Sequence, residues 1–109
     1  MLGPLIAFQF ARSEAHVTLR IERSVVSQGT RIRLSGELRS AQLADVSVAM
    51  ALSDRLVALD LDELEHVDVD GVRFLDTCEA EGIELVNCSP YLREWISQER
   101  ARKGHTREE

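Results

Sequence analysis

The sequence predicts a small α/β domain whose helices pack on a mixed sheet. Three features support this fold class: two early segments in which apolar and polar side chains alternate, a short and almost wholly apolar run in the middle of the chain, and helical apolar spacing on both sides of that run. Strands that alternate with helices form parallel pairs, whereas the two early strands form a hairpin. The predicted order is strand–strand–helix–strand–helix–strand–helix.

Local patterns predict the early strands and the first helix. Residues 16–26 alternate, and residues 31–38 alternate again after a turn at Gly29. Residues 41–54 carry apolar side chains at helical spacing, and Ser40 precedes them as the predicted N-cap. The side chains predicted to point inward are Val17, Leu19, Ile21, Ile32, Leu34, Leu43, Val46 and Met50.

The middle of the chain holds the predicted central strand and second helix. Residues 55–62 form the most continuously apolar short run, which is typical of a buried strand. Residues 71–81 have helical spacing, and Gly82 follows them as a C-terminal stop. The side chains of this helix predicted to face the core are Val72, Leu75 and Cys78.

A last strand and a last helix complete the predicted domain. The strand covers residues 83–88. Ser89 followed by Pro90 indicates a helix start, because a hydroxyl cap precedes a proline in the first turn. The helix covers residues 90–103 and is expected to end at Gly104. Its predicted apolar side carries Tyr91, Leu92, Trp95 and Ile96.

The length of 109 residues predicts one domain. We expect residues 16–103 to form it, after an N-terminal extension over residues 1–15 and before a frayed tail over residues 104–109. Residues 1–10 are mostly apolar but too few to span a membrane, which takes about 20 apolar residues. We therefore expect no membrane insertion, and predict an extra strand or an interface segment there that could join two copies as a homodimer.

Composition limits the functional classes. A net charge of −6 argues against nucleic-acid binding, which needs a basic face. Without a secretory signal, Cys78 and Cys88 are expected to be free thiols of a cytoplasmic protein. The cysteines and scattered histidines fit no zinc pattern, and the dispersed glycines form no phosphate-binding motif. Neither a metal nor a cofactor is therefore expected.

The acidic stretch before the second helix, LEHVDVDGVRFL, places a histidine and two aspartates at alternate positions. A calcium loop with Gly71 at its sixth position needs carboxylates at its first and twelfth positions, which here are His66 and Thr77. The metal interpretation therefore fails. Asp68 or Asp70 is instead predicted to cap the following helix by accepting backbone hydrogen bonds at its positive end.

The acidic residues also permit two catalytic interpretations. The run that ends in Asp60 and Asp62 resembles the nucleophile and general-acid motif of haloacid-dehalogenase-type phosphatases. That chemistry needs a lysine near the phosphoryl group, but the only lysine is Lys103, and Glu63 stands where that family has glycine. General acid/base catalysis lacks an evident nucleophile or oxyanion hole. We expect no enzyme, with an Asp-based phosphatase as an alternative; the acid/base cluster would comprise Asp60, Asp62, His66, Asp68 and Asp70.

Three stretches together resemble the STAS domain family, which includes the bacterial anti-sigma factor antagonists. Residues 33–38, RLSGEL, resemble the family strand that ends Leu-x-Gly-Glu-Leu. Residues 56–75 resemble its central strand, short connection and Asp-Ser-Ser/Thr-Gly-Leu helix start, and residues 82–96 its next strand and final helix. The resemblance covers about residues 16–100 and implies a sheet of four or five strands with helices mainly on one face.

The resemblance also implies a non-catalytic function. Antagonist members of the family present the helix-start loop to an anti-sigma factor kinase, which phosphorylates a serine there and so ends the partnership. Asp68 and Gly71 match the motif, whereas Val69 stands at the position of that serine and Asp70 at the second Ser or Thr. Val69 has no hydroxyl group, and the Asp70 carboxylate carries less charge than a phosphoserine, which has about −1.5 to −2. The implied module therefore lacks the phosphorylation switch.

The leading hypothesis is a cytoplasmic regulatory module that acts in signalling or transcription regulation and binds a protein partner, such as an anti-sigma factor kinase. The alternative is a small STAS subunit of a transporter or a lipid-trafficking complex, which the apolar start of the chain favours. Contact with the partner is predicted for the loop and helix start, at His66, Asp68, Val69, Asp70, Gly71, Val72 and Arg73.

Overall fold

The fold is described by a computed structural model, which covers the backbone of residues 7–10 and 18–106 and the side chains of residues 18–102. Most of the predicted extension, the predicted inward side chain of Val17 and the last three residues of the tail lie outside this range. The elements are β1 (Ala7–Phe10), β2 (Leu19–Val26), β3 (Gly29–Leu38), a 3-10 turn (Ser40–Gln42), α1 (Leu43–Ala51), β4 (Leu56–Asp60), β5 (Leu64–Val67), α2 (Val69–Ala80), β6 (Glu84–Val86) and α3 (Pro90–Thr106).

The strands form one mixed sheet around β3. Hydrogen-bonded neighbours run in the order β1–β2–β3–β4–β6, and β5 also pairs with β3. The first three strands are antiparallel neighbours, whereas β3 pairs in parallel with β4 and β5, and β4 pairs in parallel with β6. The predicted α/β class, with a hairpin followed by parallel pairs, is confirmed.

β3 has two different neighbours along its parallel edge. Its first half pairs with β4, where Ile32 lies opposite Leu59, and its last residues pair with β5, where Glu37 lies opposite His66. Sequence patterns did not predict β5, because four residues without clear alternation cannot be distinguished from a loop. This short strand leads the chain from the end of β4 to the start of α2.

The helices pack on one face of the sheet. On this face Ile21, Leu34 and Leu59 from the strands are fully buried together with Leu75 and Ile96 from the helices. Burying one such aliphatic side chain contributes roughly 1.5–3 kcal/mol to folding, so these contacts hold the helices against the sheet. The opposite face carries charged side chains from β2, β3 and β4.

The first helix differs from its prediction over residues 41–54. A 3-10 turn precedes α1, and the side chain of Ser40 does not act as a cap. Instead, the backbone N–H of Arg39 donates to Gln42 Oε1 at 3.0 Å. The backbone N–H of Ser40 donates to the carboxylate of Asp68 at 3.0 Å, a long-range contact that no local pattern indicates.

The second helix begins two residues earlier than predicted, at Val69, and ends one residue earlier, at Ala80. It starts at Val69 because the carboxylate of Asp68 caps it. Its last helical residue is Ala80, and Gly82 follows with φ of +98°, a left-handed conformation that favours glycine. The N–H of Gly82 donates to the carbonyl of Glu79 at 3.0 Å, which confirms Gly82 as the stop signal.

The last helix starts at Pro90 as predicted, but fewer of its side chains face the core than predicted. The N–H of Leu92 donates to the hydroxyl of Ser89 at 3.2 Å, which confirms the serine cap. Tyr91 is 75% exposed, so its predicted inward position is wrong. The helix continues through Gly104, where an end was predicted, to Thr106. Within the described part of the chain, no helix is long and apolar enough to cross a membrane.

Ion pairs join α2 to α3 beside the apolar core. The carboxylate of Glu79 accepts two hydrogen bonds from Arg93, at 2.8 and 3.0 Å. Arg100 donates to both Asp76, at 2.8 Å, and Glu79, at 2.9 Å. Bidentate guanidinium–carboxylate pairs fix relative geometry as well as adding energy, so this network sets how α3 lies along α2.

Gly71 allows the start of α2 to approach the end of β3 closely. A Cβ atom at this position would lie 2.5 Å from the carbonyl oxygen of Leu38 and 2.8 Å from Cγ1 of Val67. Both distances are shorter than a carbon atom can normally tolerate. The first turn of the helix therefore rests directly on the backbone of β3.

We predict that Gly71→Ala destabilises the protein. In an unobstructed helix this change stabilises by up to about 1 kcal/mol, because alanine has the higher helix propensity. Here the contact with Leu38 should reverse the sign and cost roughly 1–3 kcal/mol, as in other overpacked sites. Urea unfolding would measure the change, with Ser97→Ala on the exposed side of α3 as a control; a more stable Gly71→Ala variant would disprove the close contact.

Candidate functional site

Asp68 holds together the two chain segments at the start of α2. Its backbone is extended, with φ of −96° and ψ of 179°, as expected of an N-cap. Oδ1 accepts a hydrogen bond from the N–H of Gly71 at 2.9 Å, and Oδ2 accepts one from the N–H of Ser40 at 3.0 Å. The capping role predicted for Asp68 or Asp70 therefore belongs to Asp68.

The protein environment favours the charged form of Asp68. Burial alone would raise the pKa of this carboxyl, but the hydrogen bonds from Ser40 and Gly71, aided by the nearby Arg39 guanidinium, lower the pKa below its ordinary value. A carboxylate is thus kept at the positive end of the α2 dipole over the physiological pH range.

Four predicted contact residues form an exposed surface, which we call the α2-start surface: His66, Val69, Asp70 and Arg73. The apolar side chain of Val69 is 37% exposed. Arg73 donates from Nε to Glu99 Oε1 at 3.1 Å, which holds its guanidinium group close to α3. The loop predicted as a partner site therefore presents one apolar and several charged or polar groups to solvent.

The remaining predicted contact residues are buried or partly buried and hold the start of α2 in place. Val72 has no exposed surface, and Gly71 is buried against Leu38. Asp68 is only partly exposed, and both of its carboxylate oxygens accept backbone hydrogen bonds. The prediction of Val72 as a contact residue is corrected, since helical spacing turns its side chain into the core.

A groove adjoins the α2-start surface. Its volume is about 190 Å³, and His66 belongs to both features. One wall is β5 and the other is the first turns of α3, where the rings of Tyr91 and Trp95 lie 6.1 Å apart at an angle of 59°. We call it the aromatic groove; it is lined by Leu64, Glu65, His66, Val67, Ser89, Tyr91, Leu92 and Trp95.

The sequence prediction missed the aromatic groove for two reasons. β5 was not predicted, and Tyr91 was assigned to the core side of α3. A signal was present in the spacing: Tyr91 and Trp95 form one stripe four residues apart, and Leu92 and Ile96 form the next. The stripe of Leu92 and Ile96 faces the centre of the core, so the stripe of Tyr91 and Trp95 lies at the edge of the core.

The proposed phosphatase residues lie elsewhere on the molecule. Asp60 points to the charged face of the sheet, where Oδ1 accepts hydrogen bonds from the Asp62 N–H and from Asn87 Nδ2, both at 3.0 Å. Oδ2 lies 3.6 Å from Arg31 and 3.8 Å from Arg33. Burial alone would raise the pKa of Asp60, but these hydrogen bonds and guanidinium groups lower it. The Asp60 carboxylate thus lies at the centre of a cluster of ion pairs and hydrogen bonds.

Within the described part of the chain, no hydrogen bond joins the side chains of two residues of the predicted acid/base cluster. Asp60 and Asp68 share no hydrogen-bond partner, and Asp62, His66 and Asp70 are exposed. Among the described residues, no group of three or more His, Cys, Asp or Glu side chains is arranged to hold a metal ion.

Both cysteines are free thiols. Cys78 is buried in the core, and this burial raises the pKa of its thiol to about 12. Cys88 is partly buried, and burial raises the pKa of its thiol as well. The thiolate is the reactive form, so burial disfavours reactivity at both cysteines, and both side chains pack with the apolar core.

No protein-family model matches the chain, and no curated protein matches it. The basis for a functional proposal is therefore the geometry of the α2-start surface together with the sequence motifs that surround it.

We predict that Asp68→Ala lowers stability by roughly 1–2 kcal/mol at neutral pH, because the change removes the helix cap. The folded state lowers the pKa of Asp68, so this contribution is present above the pKa of the unfolded chain and disappears as the pH falls through the folded value. The difference from the unmodified protein should therefore shrink at about pH 3. Urea unfolding at both pH values would measure it.

Asp54→Asn, in an exposed turn, is the control for the Asp68 variant and should change stability by less than about 0.5 kcal/mol at neutral pH. A destabilisation of Asp68→Ala that is equal at acidic and neutral pH would contradict the assigned role of the carboxylate.

Proposed function

We propose that the protein is a non-catalytic regulatory module that binds a protein partner through the α2-start surface, in the manner of an anti-sigma factor antagonist of the STAS family. The observation that carries this proposal is the exposed Val69 side chain at the first position of a helix whose start is fixed by Asp68. An apolar side chain on a preorganised backbone loses little entropy when a partner covers it.

Under this proposal the module binds without a phosphorylation switch. Val69 occupies the position of the family serine and offers no hydroxyl group to a kinase. Asp70 adds a permanent negative charge in the first turn of α2, where the helix dipole tolerates it. Association would therefore depend on the amounts of the two proteins rather than on a modification of this loop.

The charges of the α2-start surface indicate what a partner would offer. Within the described residues, no side chain pairs with the Asp70 carboxylate, whereas the Arg73 guanidinium is engaged by Glu99. A cationic side chain of a partner would thus meet Asp70 directly. We propose a cytoplasmic partner with such a group, foremost an anti-sigma factor kinase.

Identification of the partner tests the proposal. Affinity purification with the full chain, followed by mass spectrometry, should recover a protein related to histidine-kinase-like anti-sigma factors. Recovery of a transporter subunit or a lipid-trafficking component would favour the alternative assignment. Binding would then be quantified with the two purified proteins.

We predict that Val69→Glu and Asp70→Lys each weaken binding to the purified partner by about tenfold or more, as changes at the centre of an interface do. Asp54→Lys is a control with the same charge change as Asp70→Lys in an exposed turn, and it should bind normally. Isothermal titration calorimetry would measure the affinities. Unchanged affinity in both Val69→Glu and Asp70→Lys would remove the α2-start surface from consideration.

A hydroxyl group at position 69 should restore the missing switch. If the partner is an anti-sigma factor kinase, we predict that Val69→Ser is phosphorylated by that partner in the presence of ATP, whereas the unmodified chain is not. Intact-mass measurement would detect the added phosphate. Phosphorylation of the unmodified chain to the same extent would show that the kinase modifies another residue.

A further inference from the structure

The aromatic groove runs along the backbone edge of a strand. Side chains of a strand alternate between its two faces, yet all four residues of β5, from Leu64 to Val67, line the groove. β5 pairs with β3 along one edge, and no strand in the described part of the chain pairs with its other edge. A strand paired on one side presents unpaired N–H and C=O groups on the other, which is a template for a further strand.

The wall that faces this edge is aromatic and exposed. Tyr91 is 75% exposed, and Trp95 packs only partly against the core. Aromatic side chains provide large contact areas with few rotatable bonds, and for this reason they often anchor bound peptides. The groove thus combines a free strand edge with an apolar site for a side chain.

Each of the two elements that form the groove carries an exposed acidic side chain. Glu65 lies on β5 itself, and Glu94 lies one helical turn beyond Tyr91, on the same side of α3; both are exposed. Asp70 is nearby in the chain, in the first turn of α2, and the whole protein carries a net charge of −6. Charge complementarity therefore favours a basic occupant.

The same charges disfavour a second copy of this chain in the groove. Pairing of two β5 edges would place the Glu65 side chains of both copies on neighbouring strands, and like charges on paired strands destabilise the pair. A basic segment from a different protein has no such cost.

We propose that the aromatic groove receives an extended, basic segment of the partner protein, which adds as a strand to the free edge of β5 and packs an apolar side chain against Tyr91 and Trp95. This rests on the proposed function, since His66 joins the groove to the α2-start surface. Main-chain hydrogen bonds to β5 would supply affinity, and the apolar and acidic groups would select the sequence.

A library of random twelve-residue peptides displayed on phage tests the inference directly, with the full chain as bait. The selected peptides should alternate apolar residues with Lys or Arg. Enrichment of acidic or Pro-rich peptides, or of none, would overturn the proposal.

Variants then locate the bound peptide. For the best selected peptide, Tyr91→Ser and Glu65→Lys should each weaken binding about tenfold. Val48→Ser is a matched control, because Val48 is an exposed apolar residue on α1 and 54% of its surface is accessible. Circular dichroism would establish that each variant is folded, which is expected since Tyr91, Glu65 and Val48 are exposed.

The backbone contribution needs a separate measurement. Two peptides would be made, one N-methylated at the odd-numbered amides and one at the even-numbered amides. Only one of the two should lose binding, because only one of these sets of N–H groups faces β5. Equal binding by both methylated peptides would exclude strand addition.

The same variants distinguish this inference from the proposed function. If Val69→Glu abolishes binding of the purified partner while Tyr91→Ser leaves it unchanged, the result supports the α2-start surface as the binding site and contradicts strand addition to β5. If neither variant affects the partner, both proposals fail.

Discussion

The close contact between the start of α2 and the end of β3 is the constraint on which the rest of the structure depends. Gly71 brings the first helical turn onto the carbonyl of Leu38, and the Asp68 carboxylate accepts hydrogen bonds from both Gly71 and Ser40. One side chain thereby fixes the helix that follows β5 and the connection that follows β3. Because both oxygens accept hydrogen bonds, neither connection can shift without breaking a hydrogen bond to a charged group.

This constraint divides the loop residues into two groups with different tasks. Asp68, Gly71 and Val72 hold the backbone, whereas Val69 and Asp70 lie between them in the chain and point to solvent. The alternation means that the exposed side chains are carried on backbone that is already ordered before any partner arrives. Under the proposed function, Val69 would contact the partner from this ordered backbone, and because it has no hydroxyl group it could not be phosphorylated to end that contact.

Local signals predicted the parts of the fold that depend on neighbouring residues. The alternation of β2 and β3, the cap by Asp68, the stop at Gly82 and the hydroxyl cap at Ser89 all involve partners within four residues or a simple periodicity. The 3-10 turn before α1 and the strand β5 could not be predicted in this way. Both depend on contacts with distant segments: the Ser40 N–H bonds a carboxylate 28 positions away, and β5 exists only because the end of β3 has a free edge.

The aromatic groove follows from the same geometry, since its two walls are fixed independently. β5 is held by β3, and α3 is held by the apolar core together with the pairing of Glu79 with Arg93 and Arg100. β6 ends at Val86, before the level of β5, and the chain turns into α3 instead of continuing the sheet. β6 therefore pairs with β4 but does not extend beside β5, and this edge of β5 is left unpaired. Because both walls are held by contacts outside the groove, an extended segment that added to β5 would lose mainly its own conformational freedom on binding.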